Sequence, residues 1–189
     1  MITKSYQRKH LRAPYREHVL YTDGSFIQKA TSLNLSEGGL LIDQLPSFPE
    51  KEEVSVMLLI PQMPSLKNFS LIKMQTFSKE LFARQVVRVK ARLVRRDELS
   101  QDLDNIFRSR FGLQFVQISV QHQKIIEEYV TTYSANLIYL QTLIDSFNSD
   151  EEIKIRTRTM ARILGYQDAD KISILRTKVS EDYKSLRWL

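Results

Sequence analysis

Two stretches near the N-terminus decide the reading: Arg8-Lys9-His10-Leu11-Arg12 and, 22 residues further on, Asn34-Leu35-Ser36-Glu37-Gly38-Gly39. The first is a basic lead-in carrying two arginines four apart. The second is a run of short polar side chains closing on a Gly-Gly pair, a turn signal. Between them lie two strand-like runs, Tyr15 to Tyr21 and Phe26 to Leu35, joined by Thr22-Asp23-Gly24-Ser25, a hairpin signal. Leu40-Leu41-Ile42 resumes an apolar strand at once. Arg12 and Arg16 repeat the four-residue arginine spacing. The spacing alone is therefore unspecific in a chain with 28 Lys and Arg, and the order and distance of the two stretches carry the weight.

Together the stretches match R-x-x-x-R and [DN]-x-S-x-x-G, and the chain resembles the PilZ domain family on that basis. Phe111-Gly112-Leu113-Gln114-Phe115 resembles the end of the family's last strand, and Ile125-Ile126 with Tyr129-Val130 the short helix after it. The resemblance implies a mainly β protein with an α extension: a six-stranded antiparallel β-barrel followed by about three C-terminal α-helices. It spans roughly residues 6–133, giving a barrel domain at 1–133 and a helical extension at 134–189. It also implies a ligand, cyclic di-GMP, held by Arg8, Arg12, Asn34, Ser36 and Gly39, with Lys9 and Gly38 as further contacts. Asn34 stands where the family more often has Asp.

The ligand's chemistry agrees with those residue types. Two phosphates call for cations and two guanines for donors to O6 and N7. The planar fork of Arg serves both, whereas Lys offers a point charge. Asn34 and Ser36 supply short polar groups. Gly38 and Gly39 are expected to permit positive φ and a close approach to the backbone.

Composition narrows the partners. The net charge is +6, and the first 16 residues hold five cations and no carboxylate, so the excess lies where an anionic ligand would use it. There is no cysteine, which excludes disulfides and thiolate chemistry. No run reaches the ~18 apolar residues of a membrane span, and no apolar stretch follows the N-terminal charges as in a signal peptide. A cytoplasmic protein is expected. His10, His18 and His122 lack metal-ligand spacing, and no nucleophile–base set or phosphate loop is present. Neither enzyme nor metal nor cofactor is expected.

The middle of the chain continues as strands. Val54 to Ile60 is strongly apolar and reads as a strand buried on most sides. Pro61 and Pro64 break the chain, and Phe69 to Phe77 reads as a further strand or strand pair. From Arg84 to Arg96, Val87, Val89, Ala91 and Leu93 alternate with Arg84, Arg88, Lys90, Arg92 and Arg96, giving an apolar inner and a basic outer face. That outer stripe reads as a solvated barrel face ahead of an extension of the anion site or a nucleic-acid surface.

The extension is helical. Ile126, Tyr129, Tyr133, Leu137, Leu140, Ile144 and Phe147 step by three and four, predicting one helix over about 121–148. Ser149 to Glu152 reads as a capping box for a second helix, which Gly165 ends. A third helix is expected from near Asp168, with Ile172, Leu175, Val179, Tyr183 and Leu186 on one stripe. The tail has too little core to stand alone, so it packs on the first helix, on the barrel, or on another chain. The expected function is a cyclic di-GMP receptor that alters protein contacts controlling motility, adhesion or virulence. Its protein partner, or a second copy, would meet the C-terminal helices. The alternative is a PilZ-type adaptor that binds no nucleotide and works through protein contacts alone.

Overall fold

The computed structural model describes residues 10–22, 24, 26–43, 49, 51–77, 81–97, 110–147, 150–166 and 170–186. Seven strands are formed: β1 (Arg12–Pro14), β2 (His18–Thr22), β3 (Ile27–Ser36), β4 (Gly39–Asp43), β5 (Glu53–Pro61), β6 (Arg84–Asp97) and β7 (Arg110–Gln117). The order β1-β3-β2-β5-β6-β7-β4, with β4 also paired to β3, closes β2–β7 into a six-stranded antiparallel barrel. β1 lies against the far half of β3, beyond the end of β2.

Strand alternation sets the barrel interior. Val54, Val56, Leu58 and Ile60 of β5 and Val87, Val89 and Ala91 of β6 point inward and are buried. The expectation for β5 needs correction: Glu53, Ser55 and Leu59 on its other face are exposed, so burial is one-sided. On β6 the outer face is exposed at Arg84, Arg88, Lys90 and Arg92, as the sequence predicts, and two valines, Val86 and Val94, are exposed on it as well.

β1 and β2 are nearly one strand, interrupted at Tyr15–Glu17. The buried Ser32 hydroxyl closes the gap, lying 2.7 Å from the Tyr15 carbonyl and 2.8 Å from that of Glu17. Residues 12–14, the end of the basic lead-in and the residues just after it, form a short strand. Pro14 is tolerated because β1 is an edge.

Residues 62–77 differ from the strand expected there. A 3-10 turn at Leu66–Asn68 leads to α1 (Leu71–Thr76). Ser70 caps α1 by accepting from Lys73 N at 3.3 Å. Asn136, reaching in from a later helix, accepts from Leu66 N at 2.8 Å and donates to Pro64 O at 2.9 Å. Those two bonds satisfy backbone groups that a sheet would otherwise have paired. Phe69 meets Phe77 edge-on at 5.2 Å, and Phe77 lies 5.4 Å from Phe82.

Three helices complete the chain: α2 (Val120–Asp145), α3 (Glu151–Ile163) and α4 (Ile172–Leu186). α2 buries Ile126, Tyr129, Tyr133, Leu137, Leu140 and Ile144 of the stripe read from its period, together with Val130, while Phe147 falls beyond its end and is half-buried. The cap of α3 is Asp150, not Ser149, and it accepts from Glu152 N at 2.9 Å. Gly165, at φ 89°, ends α3 with Tyr166 N bonded to Ala161 O and Gly165 N to Arg162 O, a Schellman pattern. α4 starts later than expected and turns Leu175, Val179 and Leu186 inward, while Tyr183 is exposed. The tail packs on α2, on α1 and on β1, and one hydrophobic cluster runs unbroken from barrel to helices. Among the described residues no helix is long and apolar enough to cross a membrane.

Candidate functional site

One extra residue in β3 creates the candidate site. The β3–β4 register shifts between Ser32 and Asn34, leaving Leu33 as a bulge. Before the bulge Ala30 and Ser32 point inward; after it Leu35 does. The alternation therefore flips, and Asn34 and Ser36, which would otherwise point inward, face outward.

β1 then brings the arginine stretch alongside. Arg12 stands opposite Ser36, Ala13 opposite Leu35, and Pro14 opposite Asn34. Ser36 is in turn opposite Gly39, Gly39 opposite Gln114, and Gln114 opposite Arg92. Direct cross-strand partners share a face. Arg12, Ser36, Gln114 and Arg92 thus form one outward row across β1, β3, β7 and β6, with Gly39 leaving a gap at β4. The row joins two guanidinium groups, of which Arg92 is paired with Glu53 at 2.7 Å, a carboxamide and a hydroxyl, a set able to hold phosphate oxygens or a purine edge. The Ser36 hydroxyl donates to Gly39 O at 3.1 Å, so its proton holds the turn, and the residue is only 7% exposed.

The expected role of the glycines is corrected. Neither Gly38 nor Gly39 takes positive φ; in the described residues only Gly24 and Gly165 do. At Gly39 a Cβ would collide with the backbone carbonyl of Leu113, so glycine is required there for β4 to approach β7. At Gly38 a Cβ would lie 3.0 Å from His10 Cδ2, so the imidazole occupies the space over the turn. His10 Nδ1 is also 3.5 Å from the Glu37 carboxylate. His10 is in this way laid across the Glu37-Gly38 turn.

Of the residues read from sequence, Arg12, Asn34, Ser36, Gly38 and Gly39 come together at this seam. Arg8 and Lys9 lie outside the described residues. Gln114 and Arg92 escape a reading of the sequence because their place depends on barrel closure. Arg16, the other arginine at four-residue spacing, is engaged elsewhere. Its guanidinium makes two bonds to the Asp182 carboxylate, at 2.8 and 2.7 Å, and lies 5.7 Å from the centre of the Tyr166 ring. Burial works against its charge, but Asp182 outweighs burial and holds its pKa above the usual value.

Around Arg16 the helices grip the same segment. Tyr129 donates to Pro14 O at 2.7 Å, Tyr133 to Leu164 O at 3.1 Å, and Tyr166 to Asp182 at 2.6 Å. Burial drives the pKa of all three hydroxyls upward; neighbouring Tyr133 adds to the rise at Tyr129 and Tyr166. β1 is thus held from both sides, by β3 at the motif and by α2 and α4 behind it.

A sequence model of the PilZ domain matches residues 6–132. Among curated proteins no relative matches the sequence. Solved structures with similarity include the motility inhibitor MotI/DgrA of Bacillus subtilis, 14% identical, covering 69% of this chain and 55% of that one, with a TM-score of 0.48. The PilZ domain with c-di-GMP of YcgR from Escherichia coli is 14% identical over 71% of this chain and 95% of its own, with a TM-score of 0.43. PlzA of Borreliella burgdorferi in complex with c-di-GMP is 13% identical over 74% and 54%, with a TM-score of 0.39. The match spans about half the length of MotI/DgrA and of PlzA.

Proposed function

The chain belongs to the PilZ domain family, and from that premise we propose that it is a cyclic di-GMP receptor which converts ligand binding into altered protein contacts. The carrying observation is the register of Arg12 on Ser36 and Pro14 on Asn34, outward of the Leu33 bulge. It sets Arg12, the last residue of the first motif, next to Ser36 of the second, 24 positions on in sequence. Arg12 would bind phosphate or a guanine edge, Asn34 and Ser36 would accept or donate to the bases, and Arg8 with Lys9 would close over the ligand. Ordering those lead-in residues opposes binding by roughly 1–2 kcal/mol each, and charge-assisted bonds from the arginines offset it.

β1 supplies a path to the helices. Arg12 faces the ligand row, Pro14 O receives the Tyr129 hydroxyl, and Arg16 holds Asp182 of α4. A ligand that draws on Arg12 acts on a strand the helices also hold, so it biases the surface that α2 and α4 offer. Control of motility or adhesion would be exerted by a partner that reads this surface. The protein is a receptor in this reading and performs no turnover.

Isothermal titration with cyclic di-GMP, with GTP and cyclic di-AMP as controls, tests the proposal. Selective saturable binding at micromolar concentration or below is expected. Absence of heat and of thermal stabilisation at saturating nucleotide would contradict it and leave the nucleotide-free adaptor.

A further inference from the structure

The barrel carries a second outward face, away from the β1–β3–β4 seam. Register places Leu20 opposite Met57 and Met57 opposite Arg88 in one row across β2, β5 and β6. The next row runs from Ile27 through Thr22 and Ser55 to Lys90. The first turn of α2 stands beside these rows, with His122 Nδ1 3.1 Å from Arg88 O. The result is a groove of about 580 Å³, floored by these side chains and walled by Ser119 and His122.

Its chemistry is unusual for a solvated barrel face. Ile27 is 76% exposed, and Val120, at the start of α2 near the groove, 85%. No Asp or Glu lines the groove, whereas Arg88 and Lys90 do. Among the described residues neither cation forms an ion pair, in contrast to Arg92 one row away, which is held by Glu53 at 2.7 Å. Lys29, opposite Leu20, adds a third exposed cation at the rim. Apolar floor and unanswered positive charge lie in one concave surface.

We propose that this groove docks a partner protein through a segment in which apolar side chains alternate with carboxylates. The apolar residues would fill the floor over Leu20, Ile27 and Met57, and the carboxylates would meet Arg88 and Lys90. Charge complementarity fixes the sign of the partner, and the apolar floor sets its other half. Single-stranded nucleic acid fits less well, because the one aromatic ring in the lining, Tyr21, is buried and offers no stacking face. The groove shares no lining residue with the nucleotide row, which reaches β6 one row further along at Arg92, so variants away from β6 test the two proposals separately.

The test uses a fluorescein-labelled peptide of alternating Glu and Leu, its Lys-Leu counterpart, phosphatidylglycerol vesicles and poly(U). The full chain should bind the Glu-Leu peptide saturably. The double variant R88E/K90E, both positions exposed, should lose at least tenfold in affinity and gain binding of the Lys-Leu peptide. Met57→Ser should weaken the Glu-Leu peptide severalfold without changing its salt dependence. Cyclic di-GMP titration of Met57→Ser should match that of the parent chain, so a failure here is separable from a failure of the nucleotide site. No saturable Glu-Leu binding, or equal affinity in R88E/K90E, overturns the proposal. So does binding of vesicles or poly(U) through the two cations while the peptide stays unbound.

Discussion

Arg12 and Arg16 lie four residues apart on one short segment, yet they belong to different regions of the molecule. Arg12 stands opposite Ser36 on the barrel's outer face, in a row with Gln114 and Arg92. Arg16 is committed to Asp182 at the helical seam, beside the buried hydroxyls of Tyr133 and Tyr166. Identical side chains at an identical motif spacing thus stand in a cross-strand row on the barrel in one case and in an ion pair with a helix in the other. The partner strand or helix across from an arginine decides its role, and spacing along the chain does not.

The two seams should break in different ways. The largest effect is expected at the motif seam. Gly39→Val drives a branched side chain into the Leu113 carbonyl where β4 meets β7. It should destabilise the barrel by about 3 kcal/mol or more, read as a lowered urea midpoint.

The helical seam should fail in alkali. Burial holds the Tyr129, Tyr133 and Tyr166 hydroxyls protonated in the folded protein, while in the unfolded chain they titrate near 10.0. Their contribution is therefore complete below pH 10 and drains away as pH rises through and beyond that value. Each steepens the fall by up to ~1.4 kcal/mol per pH unit. Urea melts between about pH 9 and 11.5 should show this slope, and Tyr166→Phe should flatten it.

A smaller effect is expected from Asp182→Ala. It strands the buried Tyr166 hydroxyl and frees Arg16, whose side chain is 48% exposed and so loses little by itself. The expected loss is roughly 1–2 kcal/mol, mostly from the hydroxyl. A loss above that range would mean the ion pair carries more than its exposure allows. Smallest of all, Tyr129→Phe removes one bond to Pro14 O and should lower stability by about 1 kcal/mol.

Much of this arrangement is legible in the amino-acid order itself. The β6 alternation and the α2 stripe follow from periods of two and near 3.6, and the buried residues of both elements match those periods. The approach of Arg12 to Ser36 follows from the hairpin formed by the strands between them. Other features have no local signal. The Leu33 bulge leaves no mark in composition, yet without it Asn34 and Ser36 would point into the core. The Leu71–Thr76 helix reads as a strand because Phe69, Ile72 and Phe77 favour strands, while the bonds from Asn136 come from 70 residues away. Gly39 reads as a point of ligand approach, but the neighbour it makes room for is β7, which only the closed barrel supplies. Arg16 looks equivalent to Arg12 because Asp182, its partner, is 166 positions distant.

Parallel calorimetric titrations of the parent chain, Arg12→Ala and Arg16→Ala with cyclic di-GMP test the central claim most directly. Losing the charge-assisted bonds of Arg12 should weaken binding by about 2–3 kcal/mol, roughly 30- to 150-fold, with the fold retained. Arg16→Ala should keep affinity within about threefold, because its guanidinium serves the helices. Unchanged affinity in Arg12→Ala, or an equal loss in both variants, would contradict the assignment of the ligand to the β1–β3–β4 seam.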